Sequence, residues 1–249
     1  MKRVPILMYH SIADVPGHRN SVPPDVFKHQ MELLWRAGYK TVSVIQLIDT
    51  INRGFDLPDK PVVITFDDGY EDNFIHAMPI MSSYDFHGTV FPISDWVGLT
   101  NEFEDKPNNP RCTMMNWDQL KMWLADGMEL GSHTCSHADL TRISLSELED
   151  ELYISRETFQ QNLGFSPETL CYPYGRHNRL VRRTAAEAGY RGALAIFDGV
   201  KFSGMNPYAL PRIQITANDL GAGFLRKIGP MHRWLTFGRG LEHKLKMRR

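Results

Sequence analysis

The sequence predicts an α/β fold of repeated strand–helix units, and two observations carry that prediction. Short apolar runs rich in β-branched residues recur along the 249 residues, at 4–10, 41–44, 62–67, 88–93, 129–133, 169–174, 192–196 and 210–215. Helical patterns lie between most of them. Strands that alternate with helices pair in parallel, and about eight such units predict a closed or nearly closed (β/α) barrel of the TIM-barrel type. A doubly wound open sheet is the alternative. A hydrophobic content of 42% and a charged content of 23% suit a single soluble globular domain.

The elements follow in order. Residues 4–10 read as a first strand ending on His10. The stretch "PPDVFKHQMELLWRAG" then places Phe27, Met31, Leu34 and Trp35 on one helical face, with Pro at its start and Gly38 at its stop. "SLSELEDELYISRETFQQNLG" offers Ser144 or Ser146 as a cap and Gly164 as a stop, and "NRLVRRTAAEAG" ends at Gly189. Trp35 and Trp123 are assigned to the core. The loop "GLTNEFEDKPNNPRCTM" follows the strand "GTVFPI", which in a barrel puts it on the C-terminal face, where loops carry function.

Composition excludes several classes. A formal net charge of -1 exerts no global pull on nucleic acid. Cys112, Cys135 and Cys171 are odd in number and widely spaced, which suits neither a disulfide framework nor a structural zinc site. The apolar stretch of residues 4–9 is too short for a signal-peptide core, and no run reaches membrane-spanning length, so a cytoplasmic location is expected. The barrel is expected over residues 1–225, followed by a basic tail over 226–249. There Arg226, Lys227, Arg233, Arg239, Lys244, Lys246, Arg248 and Arg249 are opposed only by Glu242, with Trp234, Leu235 and Phe237 interspersed. Such a tail can hold the chain at the inner face of an anionic membrane. A solvated tail or a helix capping the barrel is the alternative.

Two stretches carry chemistry. In "VVITFDDGYEDN" a buried strand ends on Asp67 and Asp68. A strand-to-helix turn explains one aspartate as a cap and Gly69 as a φ > 0 residue, but not two adjacent like charges. A cation there would let one carboxylate ligate while the other handles protons. In "GMELGSHTCSHADL", His133 and His137 follow another strand end, and one helical turn would bring both imidazoles to one ion. Two histidines and one carboxylate with an open position form the ligand set of a catalytic, hydrolytic zinc or a similar divalent ion.

Together, "TFDDGY" and "HTCSH" resemble the first two motifs of the polysaccharide deacetylase family, carbohydrate esterase family four, and the likeness extends over about residues 6–215. The resemblance implies a distorted (β/α)7–8 barrel that removes acetyl groups from glycans with one divalent metal, Zn2+ first and Co2+, Ni2+ or Fe2+ as alternatives. It implies Asp67 as general base and Asp68, His133 and His137 as metal ligands. "CYPYGRHN" resembles the third motif: Pro173 and Tyr174 match, and the Tyr174 backbone N–H would stabilise the oxyanion. Cys171 stands where the family has an arginine that orients the catalytic aspartate. Arg212 in "ALPRIQI" is the candidate replacement, with Arg176 behind it. The late Leu-x-His motif that usually carries the acid histidine has no counterpart after Tyr174. The strand "PILMYHSI" instead resembles the circularly permuted branch of poly-N-acetylglucosamine deacetylases, which makes His10 the acid that protonates the leaving amine. Trp96 and Trp117 are core residues or an aromatic floor for a sugar ring. The expected substrate is an N-acetylated amino sugar in a polysaccharide, an oligosaccharide or a lipid-linked glycan. An O-acetyl esterase, a non-sugar amidase and a non-catalytic carbohydrate-binding protein are the rival readings.

Overall fold

The structure is a computed structural model and describes residues 4–16, 18, 20–104, 110–196 and 206–229. A strand forms in each of the eight apolar runs: β1 (Ile6–Tyr9), β2 (Lys40–Thr41), β3 (Pro61–Asp68), β4 (Thr89–Pro92), β5 (Glu129–Leu130), β6 (Thr169–Cys171), β7 (Gly192–Ile196) and β8 (Leu210–Gln214). Seven of them make a parallel barrel in the order β5-β4-β3-β1-β8-β7-β6, while β2 stands aside and pairs only with the start of β3. The two ends of that order meet at Ser132. Its N–H donates to the Thr169 carbonyl at 2.9 Å, and its carbonyl accepts from the Cys171 N–H at 2.8 Å. With β5 only two residues long, this narrow join leaves a distorted, nearly closed (β/α)7 barrel in a single domain.

Strand alternation decides what faces the lumen. On β3, Val62, Ile64 and Phe66 pack outward with Phe27, Met31 and Leu34 of helix α1 (Pro24–Arg36). Val63 packs inward with Ile6, Phe91, Cys171, Leu194 and Leu210. The same parity puts Thr65 and Asp67 on the inner face of β3, Arg212 on that of β8, and His10 just beyond the inner face of β1. Burying each of these apolar side chains stabilises the fold by roughly 1.5–3 kcal/mol. A one-residue slip would exchange the two faces, so the core fixes the register that aims Asp67 inward.

Helix α2 (Val44–Arg53) plugs the N-terminal end of the barrel by placing Val44, Leu47 and Ile48 in that inner cluster. Here the strand expected over 41–44 stops early. The Ser43 hydroxyl accepts from the Gln46 N–H at 3.0 Å, and the Gln46 side chain accepts from the Ser43 N–H at 2.9 Å. This capping box overrides the strand preference of Val42 and Val44. The buried Glu129 carboxylate accepts the Val44 N–H at 2.9 Å and completes the cap.

The other helices are α3 (Met78–Ser82), α4 (Trp117–Ala125), α5 (Leu145–Leu163), α6 (Arg179–Glu187) and α7 (Gly221–Ile228). Ser144 caps α5, and Gly164 ends it with φ 80°. Trp123 is fully buried, but Trp35 is 55% exposed, contrary to the expectation for it. The inward stripe of α1 runs through Phe27, Gln30, Met31 and Leu34, and Trp35 lies about 100° around the helix from Leu34. Gln30 takes the remaining inward position by accepting the Tyr9 hydroxyl at 2.9 Å.

Helix α7 carries the chain past residue 225, the expected start of the tail, and packs on the core through Phe224 and Ile228. Lys227 is paired with Asp219 at 2.7 Å. The rest of the basic tail, with the membrane contact expected of it, lies outside the described residues. Among the described residues no helix is long and apolar enough to cross a membrane.

Candidate active site

The C-terminal ends of the strands bring together residues that lie far apart in sequence. Asp67 and Asp68 end β3, His10 follows β1, His133 and His137 follow β5, Tyr174 follows β6 and Arg212 lies on β8. A regular pleat would send Asp67 and Asp68 to opposite faces. Asp68 instead takes φ 69°, a conformation uncommon outside glycine, and its carboxylate meets both histidines. Its Oδ1 is 3.5 Å from His133 Nε2 and 3.6 Å from His137 Nε2. Thr134, His137 and Tyr174 also have positive φ, at 70°, 68° and 59°. Such strain collects where surrounding structure holds a functional geometry in place.

The two histidines converge by a different route from the helical turn expected of them. Residues 133–137 form an irregular loop whose direction is set by the positive φ values at Thr134 and His137. The His133 Nδ1 lies 2.8 Å from the Cys171 carbonyl. A carbonyl can only accept, so Nδ1 carries a proton and Nε2 is left as the ring atom aimed at Asp68's side of the cleft. Burial pushes the His137 imidazole down to about 4, which keeps it neutral as a ligand must be. Burial also opposes a charged His133, but the Asp68 carboxylate beside Nε2 raises that imidazole above its ordinary value, so Nε2 holds a proton there that a bound cation would displace.

This donor set fits a divalent cation. One oxygen of Asp68 and one nitrogen each of His133 and His137 lie within 4.8 Å of one another, all buried. Asp67, His133 and Cys171 form a second close triple. It is the poorer ligand set, because Arg212 already holds Asp67 and burial pushes the Cys171 thiol up, away from the thiolate a metal requires.

Arg212 is almost fully buried and grips Asp67 with both arms, Nη1 to Oδ1 at 2.5 Å and Nη2 to Oδ2 at 2.7 Å. Nη1 also donates to Thr65 Oγ1 at 3.2 Å, and Nη2 lies 3.1 Å from Cys171 Sγ. The small side chain of Cys171 thus leaves room for a guanidinium arriving from another strand. Burial alone would raise the Asp67 carboxyl, but the charge and hydrogen bonds of Arg212 hold it well below the usual carboxylate range. Arg176, the other arginine considered, pairs with Asp139 at the surface instead.

His10 Nε2 lies 3.9 Å from Asp67 Oδ2, beyond hydrogen-bond range, so the two side chains flank one space. The Tyr174 ring packs on His137 at 4.7 Å between centroids and is half exposed. His137 also meets Phe103 at 5.2 Å, which in turn meets Trp96 at 5.7 Å. Trp96 therefore belongs to an aromatic wall leading away from the cluster, whereas Trp117 packs against Phe159 of the core. Sequence reading missed Phe103, because nothing in its polar loop singles it out.

Comparisons with known proteins place the chain in a family. The family model described as polysaccharide deacetylase matches residues 55–193, and the chain belongs to that family of hydrolases. It is 28% identical over 222 residues to the Bacillus subtilis protein YxkH, itself provisionally named a polysaccharide deacetylase; the match spans 89% of this chain and 75% of that protein. It is 25% identical over 205 residues to the poly-beta-1,6-N-acetyl-D-glucosamine N-deacetylase of Staphylococcus aureus, over 79% of this chain and 68% of that one. Among solved structures, the Streptococcus pyogenes deacetylase PplD, in complex with acetate, superposes with a TM-score of 0.81 at 25% identity. That superposition covers 92% of this chain and 99% of the other.

Proposed function

We propose that the protein is a metal-dependent de-N-acetylase that removes acetyl groups from N-acetylglucosamine units of a glycan and releases acetate. The observation that carries this reading is the convergence of Asp68, His133 and His137, with the Arg212-held Asp67 beside them and His10 3.9 Å from it. The name of the Staphylococcus aureus relative points to a poly-β-1,6-linked chain as the polymer. Reading β1 as a strand moved by circular permutation rests on its place between β3 and β8.

A divalent ion held by Asp68, His133 and His137, Zn2+ before its neighbours, would polarise the acetyl carbonyl and acidify the attacking water. Asp67, kept ionised and aimed by Arg212, takes the proton from that water. The Tyr174 backbone N–H donates to the carbonyl oxygen as it gains charge. His10 gives its proton to the amide nitrogen as the C–N bond breaks, because an amine anion is a very poor leaving group. Water and amide are thereby converted to acetate and a free amino sugar.

The test uses N-acetylglucosamine oligomers of β-1,6 and β-1,4 linkage. Acetate and free amine appearing in equal amounts, faster from the β-1,6 series, support the reading. Acetate released only from O-acetylated sugars identifies an esterase and overturns it.

A further inference from the structure

The motif that supplies Asp67 and Asp68 contains a third aspartate facing elsewhere. Asp72 lies in the turn after β3, at the start of the helical segment leading into α3, yet its side chain makes no capping bond to that segment. Its carboxylate instead reaches the end of β1. Oδ2 accepts from the Ser11 hydroxyl at 2.7 Å, and Oδ1 accepts from the Ile12 N–H at 2.7 Å. Both donors directly follow His10.

We propose that Asp72 is a positioning residue for His10, clamping the chain behind the imidazole so that it faces the leaving nitrogen. The proposal rests on the reading of His10 as the acid. The β1–β3 ladder ends with Tyr9 opposite Phe66, so His10 lies beyond the strand pairing that orders its neighbours. Past that point the Asp72 carboxylate ties Ser11 and Ile12 back to β3's own turn. Asp67 and Asp72 are five residues apart on one segment, so the distance between base and acid is set by a short, shared piece of chain. Asp72 is also partly buried, and a carboxylate withdrawn from water is tolerated best where its hydrogen bonds are made.

Misplacing a reacting group by about 1 Å can lower a rate on the order of 10²-fold. The experiment compares an N-acetylglucosamine oligomer with 4-nitrophenyl acetate, whose leaving group departs as an anion and does not need the acid. In Asp72→Ala, kcat on the amide should fall about 10- to 100-fold and on the ester by less than about 3-fold. Asp72→Asn keeps one acceptor, and Ser11→Ala removes one donor. Each should shift the amide-to-ester ratio in the same direction by a smaller amount, with an unchanged melting temperature and metal content. His10→Ala is the reference, and adding Asp72→Ala to it should lower the amide rate by less than about a further 3-fold. Equal losses on both substrates in Asp72→Ala, or additive losses in the double variant, would overturn the clamp while leaving the acid reading intact. A His10→Ala chain that keeps the parent's amide-to-ester ratio would overturn the acid reading and the clamp with it.

Discussion

Arg212 on β8 reaches across β1 and holds both carboxylate oxygens of Asp67 on β3, at 2.5 and 2.7 Å. The two strands are not neighbours, so this one pair ties three adjacent staves of the barrel together. It also governs the proposed base. Arg212 keeps Asp67 charged in a buried place, at the cost of making it a weaker proton acceptor.

Replacing Arg212 with Met should therefore act in two ways. Without the guanidinium, burial acts on Asp67 against only the weaker pull of His10 and His133, so its pKa rises and the acid limb of the pH–rate profile moves to higher pH. In the parent, the folded-state pKa of Asp67 lies below its unfolded value. The stability this contributes is complete above the unfolded pKa and is lost as pH falls through the folded one. The variant leaves a buried carboxylate without its partner and should lose about 3–5 kcal/mol at neutral pH, read by urea unfolding. An unchanged acid limb would separate Arg212 from the base.

Asp67→Asn and Asp68→Asn should differ in kind. The first should lower turnover by about 10²–10⁴-fold while the purified chain keeps its metal. The second should lose metal affinity and, through that, turnover. Metal analysis of both variants checks this, and equal metal loss would show that the two roles are not divided.

Gly69 follows Asp68 with φ 88°, and a Cβ there would sit 2.9 Å from the Pro92 backbone. Gly69→Ala combines an unfavourable conformation with a backbone clash and should cost about 1–3 kcal/mol. Because the strain lands beside Asp68, the proposed ligand, metal affinity should fall together with the melting temperature.

Much of this was legible in the sequence because it depends on local pattern. The β-branched runs located all eight strands, and the parity of Val63, Thr65 and Asp67 follows from strand alternation alone. Arg212 came into view only through the family resemblance, which implies an arginine where Cys171 stands and left Arg212 and Arg176 as candidates to replace it. What escaped depended on backbone turns and on contacts distant in sequence. The capping box at Ser43 made a helix of residues that favour a strand. The left-handed turns at Thr134 and His137, which aim the imidazoles, are not marked in the sequence by a glycine. Asp72 read as one more acid in a polar turn, and only its 2.7 Å bonds to Ser11 and Ile12 reveal its target.

Asp68, His133 and His137 are proposed to hold the ion on which acetyl removal depends, and acetate release from a β-1,6-linked N-acetylglucosamine oligomer tests this. The parent and His137→Ala are compared after dialysis against chelator and after stoichiometric Zn2+ is restored. The parent should fall to background on dialysis and recover with about one equivalent of metal, while His137→Ala should stay near background at that concentration. Full activity of the metal-stripped parent, or full recovery of His137→Ala with one equivalent, would contradict the account.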